Sequence, residues 1–315
     1  NNATTNQAEL LIELGAIENK RDEYKKAYAY LMQAEPLLPK NTYSYVKFSY
    51  LYHLANIEFN MGNNAAAITQ LKTVLSIKEI EQYQDIKADM NILAGKIYLD
   101  RGGLHQALKY YLEAVAIFER LGLRRDLGRA YCDVAWLYFK QYNDQECVNF
   151  VNKALDIATA IHDDYGIARA HSILGSLYTA QGKYEKAIPE HEYALDIRQR
   201  LQSRSGIADA YYNLGSAYEK SGQIDRAISY ANKSMKIDKE LGNVVNIGLG
   251  YKKIASLSIL KKDYDTAKTF LYKAMELANQ AALTELKRDV NLLFAKLHKN
   301  TGDLQTANEY LYAAI

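Results

Sequence analysis

The 315-residue sequence predicts an all-α fold, a solenoid of eight antiparallel helix–turn–helix units, on three observations. A small residue recurs every 40 positions, at Ala27, Ala67, Ala107, Cys147, Ala187, Ala227, Ala267 and Ala307. A second series, twelve residues earlier, holds only glycine or alanine: Gly15, Ala55, Gly95, Ala135, Gly175, Gly215, Ala255 and Ala295. A third, seven residues after the second, reads Asp22, Gly62, Gly102, Tyr142, Gly182, Gly222, Lys262 and Gly302. Two small series in fixed phase mean two elements in close contact, and the glycine-rich third places a turn between them.

Unit one (5–44) crosses at Gly15 and Ala27 and turns at Asp22, and Pro36 and Pro39 shorten its second helix. Units two (45–84) and three (85–124) pair Ala55 with Ala67 and Gly95 with Ala107 around Gly62 and Gly102. Unit four (125–164) has Tyr142 at the turn and Cys147 as a packing substitute for alanine. Unit five (165–204) shows the helical spacing in full. Ile167, Ala170, Leu174, Leu177 and Tyr178 fall three and four apart, as do Tyr184, Ala187, Ile188, His191, Ala194 and Leu195 after the turn. Pro189 lies inside that second helix and predicts a local kink. Unit six (205–244) sets Gly215 against Ala227, where a larger side chain would push the backbones apart. In unit seven (245–284) Lys262 must take the left-handed turn conformation under mild strain, as must Asp22. Unit eight (285–315) is incomplete. No linker interrupts the series, so 1–315 reads as one array.

The runs Tyr211-Tyr212-Asn213-Leu214-Gly215-Ser216-Ala217-Tyr218 and Gly182-Lys183-Tyr184-Glu185-Lys186-Ala187-Ile188 resemble the two helices of the tetratricopeptide repeat family. Tyr98, Tyr138, Tyr178 and Tyr218 occupy a signature position, and Glu18, Glu58, Ser258 and His298 depart from it. The family's usual unit is roughly 34 residues, so this chain resembles its long-helix variant, with about 9 Å of extra helix per repeat. The resemblance implies a right-handed superhelix whose first helices line a concave groove. It also implies a non-catalytic peptide- or protein-binding module of the kind found in bacterial signalling and sensor proteins. Two alternatives stand beside it: a cytoplasmic peptide-responsive regulator resembling response-regulator phosphatases, and a scaffold that oligomerises. A chaperone-tail clamp is disfavoured, because Lys252 has Ser256 rather than asparagine one turn later and Asn56 has Tyr52 rather than lysine one turn earlier.

Half the residues are hydrophobic and a quarter charged, which describes an ordinary globular chain. The net charge of +2 lacks the basic excess of a nucleic-acid binder, and Arg124-Arg125 and Lys252-Lys253 read as solvated helix faces. The histidines form no HExxH pair, and no phosphate loop, nucleophile elbow, calcium loop or dinucleotide fingerprint is present, so no metal, cofactor or enzyme activity is expected. Cys132 and Cys147 are expected as free thiols. No run of residues is long and apolar enough to span a bilayer.

What remains is the first-helix surface, where positions three or four apart and off the packing series face the groove. The expected partner-binding residues are Asp89 and Lys96 in unit three; Arg129, Asp133, Trp136, Phe139 and Lys140 in unit four, with Cys132 in the wall; Arg169, Ser172 and Ser176 in unit five; and Tyr212 and Asn213 in unit six. An aromatic anchor flanked by cations suits a peptide, the ring supplying buried area and the cations holding carboxylates or carbonyls. The start without methionine and the unfinished last unit point to a longer protein, with an exported or a cytoplasmic setting equally compatible, and an uncovered last helix suits oligomer formation.

Overall fold

The structure, a computed structural model, describes residues 2–21, 23–39, 42–281 and 283–315. Among them are sixteen α-helices and two short 3₁₀ turns, with no strand. The chain divides into two compact units, residues 1–166 and 167–315. Helices of the first are α1 (Asn2–Lys20), α2 (Tyr24–Ala34), α3 (Tyr45–Asn60), α4 (Asn64–Leu75), α5 (Gln84–Asp100), α6 (Leu104–Leu121), α7 (Arg124–Lys140) and α8 (Asp144–Ala160). After them come α9 (Asp164–Ala180), α10 (Tyr184–Arg200), α11 (Arg204–Lys220), α12 (Ile224–Leu241), α13 (Val244–Leu260), α14 (Tyr264–Gln280), α15 (Thr284–Asn300) and α16 (Leu304–Ala313). Helices α1, α3, α5, α7, α11, α13 and α15 each pack on the next as a hairpin, α9 meets α10 where Gly175 approaches His191, and first helices of successive hairpins also touch, α1 on α3 and α3 on α5 in one unit, α13 on α15 in the other. No helix of the described residues is long and apolar enough to cross a membrane.

Helices of 17 residues are the rule, and they account for the long period. Shorter ones are α4, with 12 residues, α16, with 10, and α2, with 11, where Pro36 converts the helix end into the 3₁₀ turn Glu35–Leu37. In contrast, α10 runs unbroken through Pro189, which forgoes only the bond to the Glu185 carbonyl near the helix start, so the expected kink does not divide the helix.

The turns repeat one geometry. Gly62, Gly102, Gly182, Gly222 and Gly302 have positive φ, and so do Tyr142 (57°) and Lys262 (62°) in the same series; Asp22 lies outside the described residues. Each is followed by a residue whose N–H reaches back five positions, as in Lys183 N to Tyr178 O at 2.9 Å and Asp263 N to Ser258 O at 2.9 Å. This is the Schellman closure, and its acceptor is a backbone carbonyl, so tyrosine, serine, glutamate or histidine serve equally at that position. The tyrosine ring has a separate task, stacking across the hairpin: Tyr98 on Tyr110 at 5.5 Å, Tyr138 on Phe150 at 5.6 Å and Tyr218 on Tyr230 at 5.3 Å. His298 replaces tyrosine in the last hairpin and stacks on Tyr310 at 5.6 Å.

Where two helices cross, the glycine or alanine of the first helix faces a residue sixteen positions later, and the two sizes compensate. Gly95 lies under the ring of Tyr111, and a Cβ on Gly175 would sit 2.6 Å from the His191 imidazole. Alanine is tolerated opposite aliphatic residues, Ala55 with Leu71, Ala135 with Val151 and Ala255 with Leu271, all buried. Gly215 has only Ala231 opposite, and a Cβ there would meet the Ala227 carbonyl at an ordinary 3.4 Å.

Gly175→Ala is therefore expected to destabilise by about 1–3 kcal/mol through overpacking, whereas Gly215→Ala should gain up to about 1 kcal/mol of helix propensity. Urea unfolding followed by circular dichroism checks both, and equal shifts would contradict the size compensation. Tyr142, 90% exposed, gives up no burial on truncation. Relief of its left-handed backbone, less the entropy glycine loses on folding, should make Tyr142→Gly more stable by roughly 1 kcal/mol in the same assay.

Candidate functional site

Helical spacing lays one stripe of side chains along each first helix. On α5 it holds Asp85, Asp89 and Lys96, and on α7 Asp126, Arg129, Asp133, Trp136 and Lys140. At the N-terminal end of the stripe three carboxylates gather. Burial raises the pKa of Asp89 to about 6, the charges of Asp126 and Asp85 add to the rise, and Lys96 and Arg129 oppose it. Arg129 pairs with Asp126 at 3.8 Å, and Tyr45 donates its hydroxyl to Asp85 Oδ2 at 3.2 Å. Asp85 and Asp126 were not among the expected site residues, although each stands one helical turn from one that was.

At the other end Trp136 lies half-buried, its ring 5.0 Å from Phe139 and 4.9 Å from Lys140 Nζ. These three residues come from one helix at steps of three and four, so α7 itself supplies the ring and the cation that flank the indole. Beside it opens a cleft of about 600 Å³, walled by Lys96, Leu99 and Asp100 from α5 and by Asp133, Trp136 and Lys140 from α7. Asp133 is only 5% exposed, so it contributes an edge of the wall and not the open carboxylate expected. Cys132 is fully buried and is core, not groove wall; Cys147 is buried too, and burial pushes its thiol pKa up to about 11.

In the second unit the expected residues divide. Ser172 is 8% exposed and donates to the Ala168 carbonyl at 2.9 Å. Ser176 donates to the Ser172 carbonyl at 2.9 Å, so both hydroxyl protons are spent on α9 itself. Arg169 and Asn213 are half-buried on α9 and α11. Tyr212 is 44% exposed, with Lys253 Nζ 5.7 Å from its ring. The pair Lys252-Lys253 is not a solvated face: Lys252 bridges to Asp289 at 2.9 Å, and Lys253 pairs with Glu219 and reaches Ser216 Oγ at 3.4 Å. Together with Tyr212, Leu292 and Lys296 they line a cleft of about 440 Å³. Among the described residues no group of three His, Cys, Asp or Glu side chains converges to hold a metal.

Models of the tetratricopeptide repeat match residues 87–160 and 166–240 and, separately, 48–80, together more than half of the chain. No curated protein matches the sequence. Among solved structures, the chain is similar to a Rap protein complexed with competence and sporulation factor, at 15% identity and a TM-score of 0.75, over 98% of this chain and 86% of that one. It is similar to NprR in complex with its cognate peptide NprX at 16% identity and a TM-score of 0.64, over 96% and 87% of the two chains. It is similar as well to aspartyl phosphate phosphatase F from Bacillus subtilis at 14% identity and a TM-score of 0.60, over 98% and 92%. Likeness at these identities speaks for the fold. The 40-residue hairpin period, the left-handed closures and the matched repeats make this chain a member of the tetratricopeptide repeat family, an all-α solenoid of the long-helix kind.

Proposed function

We propose that the chain is a non-catalytic peptide-binding module serving a bacterial signalling protein, with its first-helix face as the binding surface. The observation that carries this reading is Trp136, the one tryptophan of the chain, held half-buried as the wall of an open cleft and flanked by Lys96 and Lys140. A half-buried ring flanked by Phe139 and Lys140 loses less entropy on binding than a free one, which is what an anchor for an apolar peptide side chain requires. The cluster of Asp85, Asp89 and Asp126 further along the stripe suits a lysine or arginine of the same peptide. The solved neighbours lend support to a peptide-responsive regulator, since the Rap protein and NprR are described in complex with competence and sporulation factor and with NprX. Nucleic acid is no part of the reading, because a net charge of +2 supplies no basic surplus.

A single tryptophan makes the test direct. Peptides selected from a random heptamer library on the intact protein should change Trp136 emission on binding. Calorimetry should then show Trp136→Ala and Lys96→Ala each weakening them about tenfold, near 1.4 kcal/mol. Selected peptides that bind both variants as well as the parent would move the site to another face.

The state of Asp89 sets a second outcome. Its carboxyl, with a pKa near 6, is charged above that pH and neutral below it. Affinity for a lysine- or arginine-containing peptide should therefore fall by about fivefold between about pH 7 and pH 5, the worth of roughly 1 kcal/mol. In Asp89→Asn the affinity should be lower at neutral pH and the step should vanish; a step of undiminished size in that variant removes Asp89 from the site.

A further inference from the structure

A repeat array contains its own comparison set, because every residue can be set beside those forty positions away. Three series on the second helices form the floor beneath the first helices, and α12 departs from all three. The first holds Leu31, Leu71, Tyr111, Val151, His191 and Leu271, but Ala231. The second is alanine or valine, as in Val74, Ala114, Ala154 and Ala274, but Ser234. The third has Phe118, Ala158 and Ala278 buried at the same place, but half-buried Arg198 in α10 and buried Asp238 in α12.

The three departures meet. Ala231, Ser234 and Asp238 line one cavity of about 240 Å³ inside the second unit, with Asp209 and Tyr212 of α11 and with Asn246 and Lys253 of α13. Asp238 is 4% exposed, and its hydrogen-bond partners are neutral: Asn246 Nδ2 at 3.2 Å and Ser234 Oγ at 3.4 Å. The serine makes its shorter bond, 2.9 Å, to the Ala208 carbonyl, which leaves one carboxylate oxygen with a weak donor at best. Burial raises the pKa of this carboxyl. The protein's nearby cations are engaged. Lys253 pairs with Glu219, and Arg198 donates to the Gly206 carbonyl at 3.1 Å while its charge acts on Asp209. A buried carboxylate with neutral partners, two carboxylates facing one cavity, and an exposed aromatic ring beside them are together complementary to positive charge on a slender chain.

We propose that this cavity binds the ammonium or guanidinium end of an aliphatic amine, with Asp238 as the buried counter-charge, Asp209 as the exposed one and the Tyr212 ring alongside. At roughly 30 Å³ for each water-sized group, the space takes about eight such groups, the size of a short alkyl amine or of a lysine or arginine side chain. Both sources present the same chemistry. The site lies in the second unit and does not depend on a peptide at Trp136.

Calorimetry on the intact chain with agmatine, with butylamine and with acetyl-Gly-Arg-Gly-amide tests the proposal, with acetyl-Gly-Leu-Gly-amide as the uncharged control. Agmatine or the arginine peptide should bind one-to-one and the leucine peptide should not; the tighter of the two names the source. Two variants install residues the array already uses in that series, so folding is preserved by precedent: Ala231→Leu fills the cavity and Asp238→Ala removes its charge. Each should weaken amine binding at least about tenfold with an unchanged helical spectrum, and Asp209→Asn should weaken it by a smaller factor. If Asp238→Ala does not fold, Ala231→Leu alone decides. Absence of amine binding at millimolar concentration, or equal binding by parent and Ala231→Leu, overturns the proposal.

Discussion

The close approach of paired helices at one glycine or alanine per hairpin is the constraint on which everything else in this chain rests. Because the backbones approach closely there, volume removed from one helix reappears on the other in most hairpins, Gly95 beneath Tyr111, Gly175 beneath His191, Ala255 opposite Leu271, and where it does not, at Gly215 and Ala231, a cavity is left. The exchange keeps the crossing distance tolerable while sequence varies, as close packing demands. It also has a cost in charge state. Burial holds the His191 imidazole well below its ordinary pKa, near 4, with the charge of Arg198 acting in the same direction. That hairpin thus has stability in hand above the unfolded histidine pKa and loses it as pH falls toward 4.

A rigid crossing frees the remaining surface for chemistry. The packing series and, at the described turns, the left-handed closures occupy fixed positions in the hairpins, so the first-helix stripe can carry acids in one place and an indole in another without altering the fold. In α7 the stripe is self-supporting, since Trp136, Phe139 and Lys140 lean on one another along a single helix. In α13 it is tied to its neighbours instead, Lys252 to Asp289 and Lys253 to Glu219. Charges held this way are oriented but already partnered, so the two lysines shape a cleft more than they offer free charge.

Much of the fold could be read from the sequence because it depends on intervals along one chain. The small series and the turn series located the helices and their closures, down to the left-handed Lys262. The site was less legible because it depends on what approaches from the side. Helical spacing places Asp133 and Ser172 on the right stripe, but the packing around the first helices leaves little of either exposed, and a serine inside a helix finds its own backbone before it finds a ligand. Asp209 occupies the same forty-residue series as Asp89, Arg129 and Arg169, so the signal for it was present in the same column.

That column logic separates two kinds of departure from a repeat. Tyr142 and Lys262 depart from glycine at a turn facing solvent, where the backbone bears the strain and nothing else is affected. Ala231, Ser234 and Asp238 depart inward, and inward departures are not independent, because a buried carboxyl without charged partners is costly unless neighbouring residues make room and supply hydrogen bonds. Asn246 and Ser234 supply those bonds, Ala231 makes the room, and Asp209 adds a second carboxylate to the same cavity wall. Packing alone would be served better by the leucine and alanine that the array uses elsewhere in these series. The physical account of their joint presence is therefore a charged guest whose binding offsets the cost of keeping Asp238 buried.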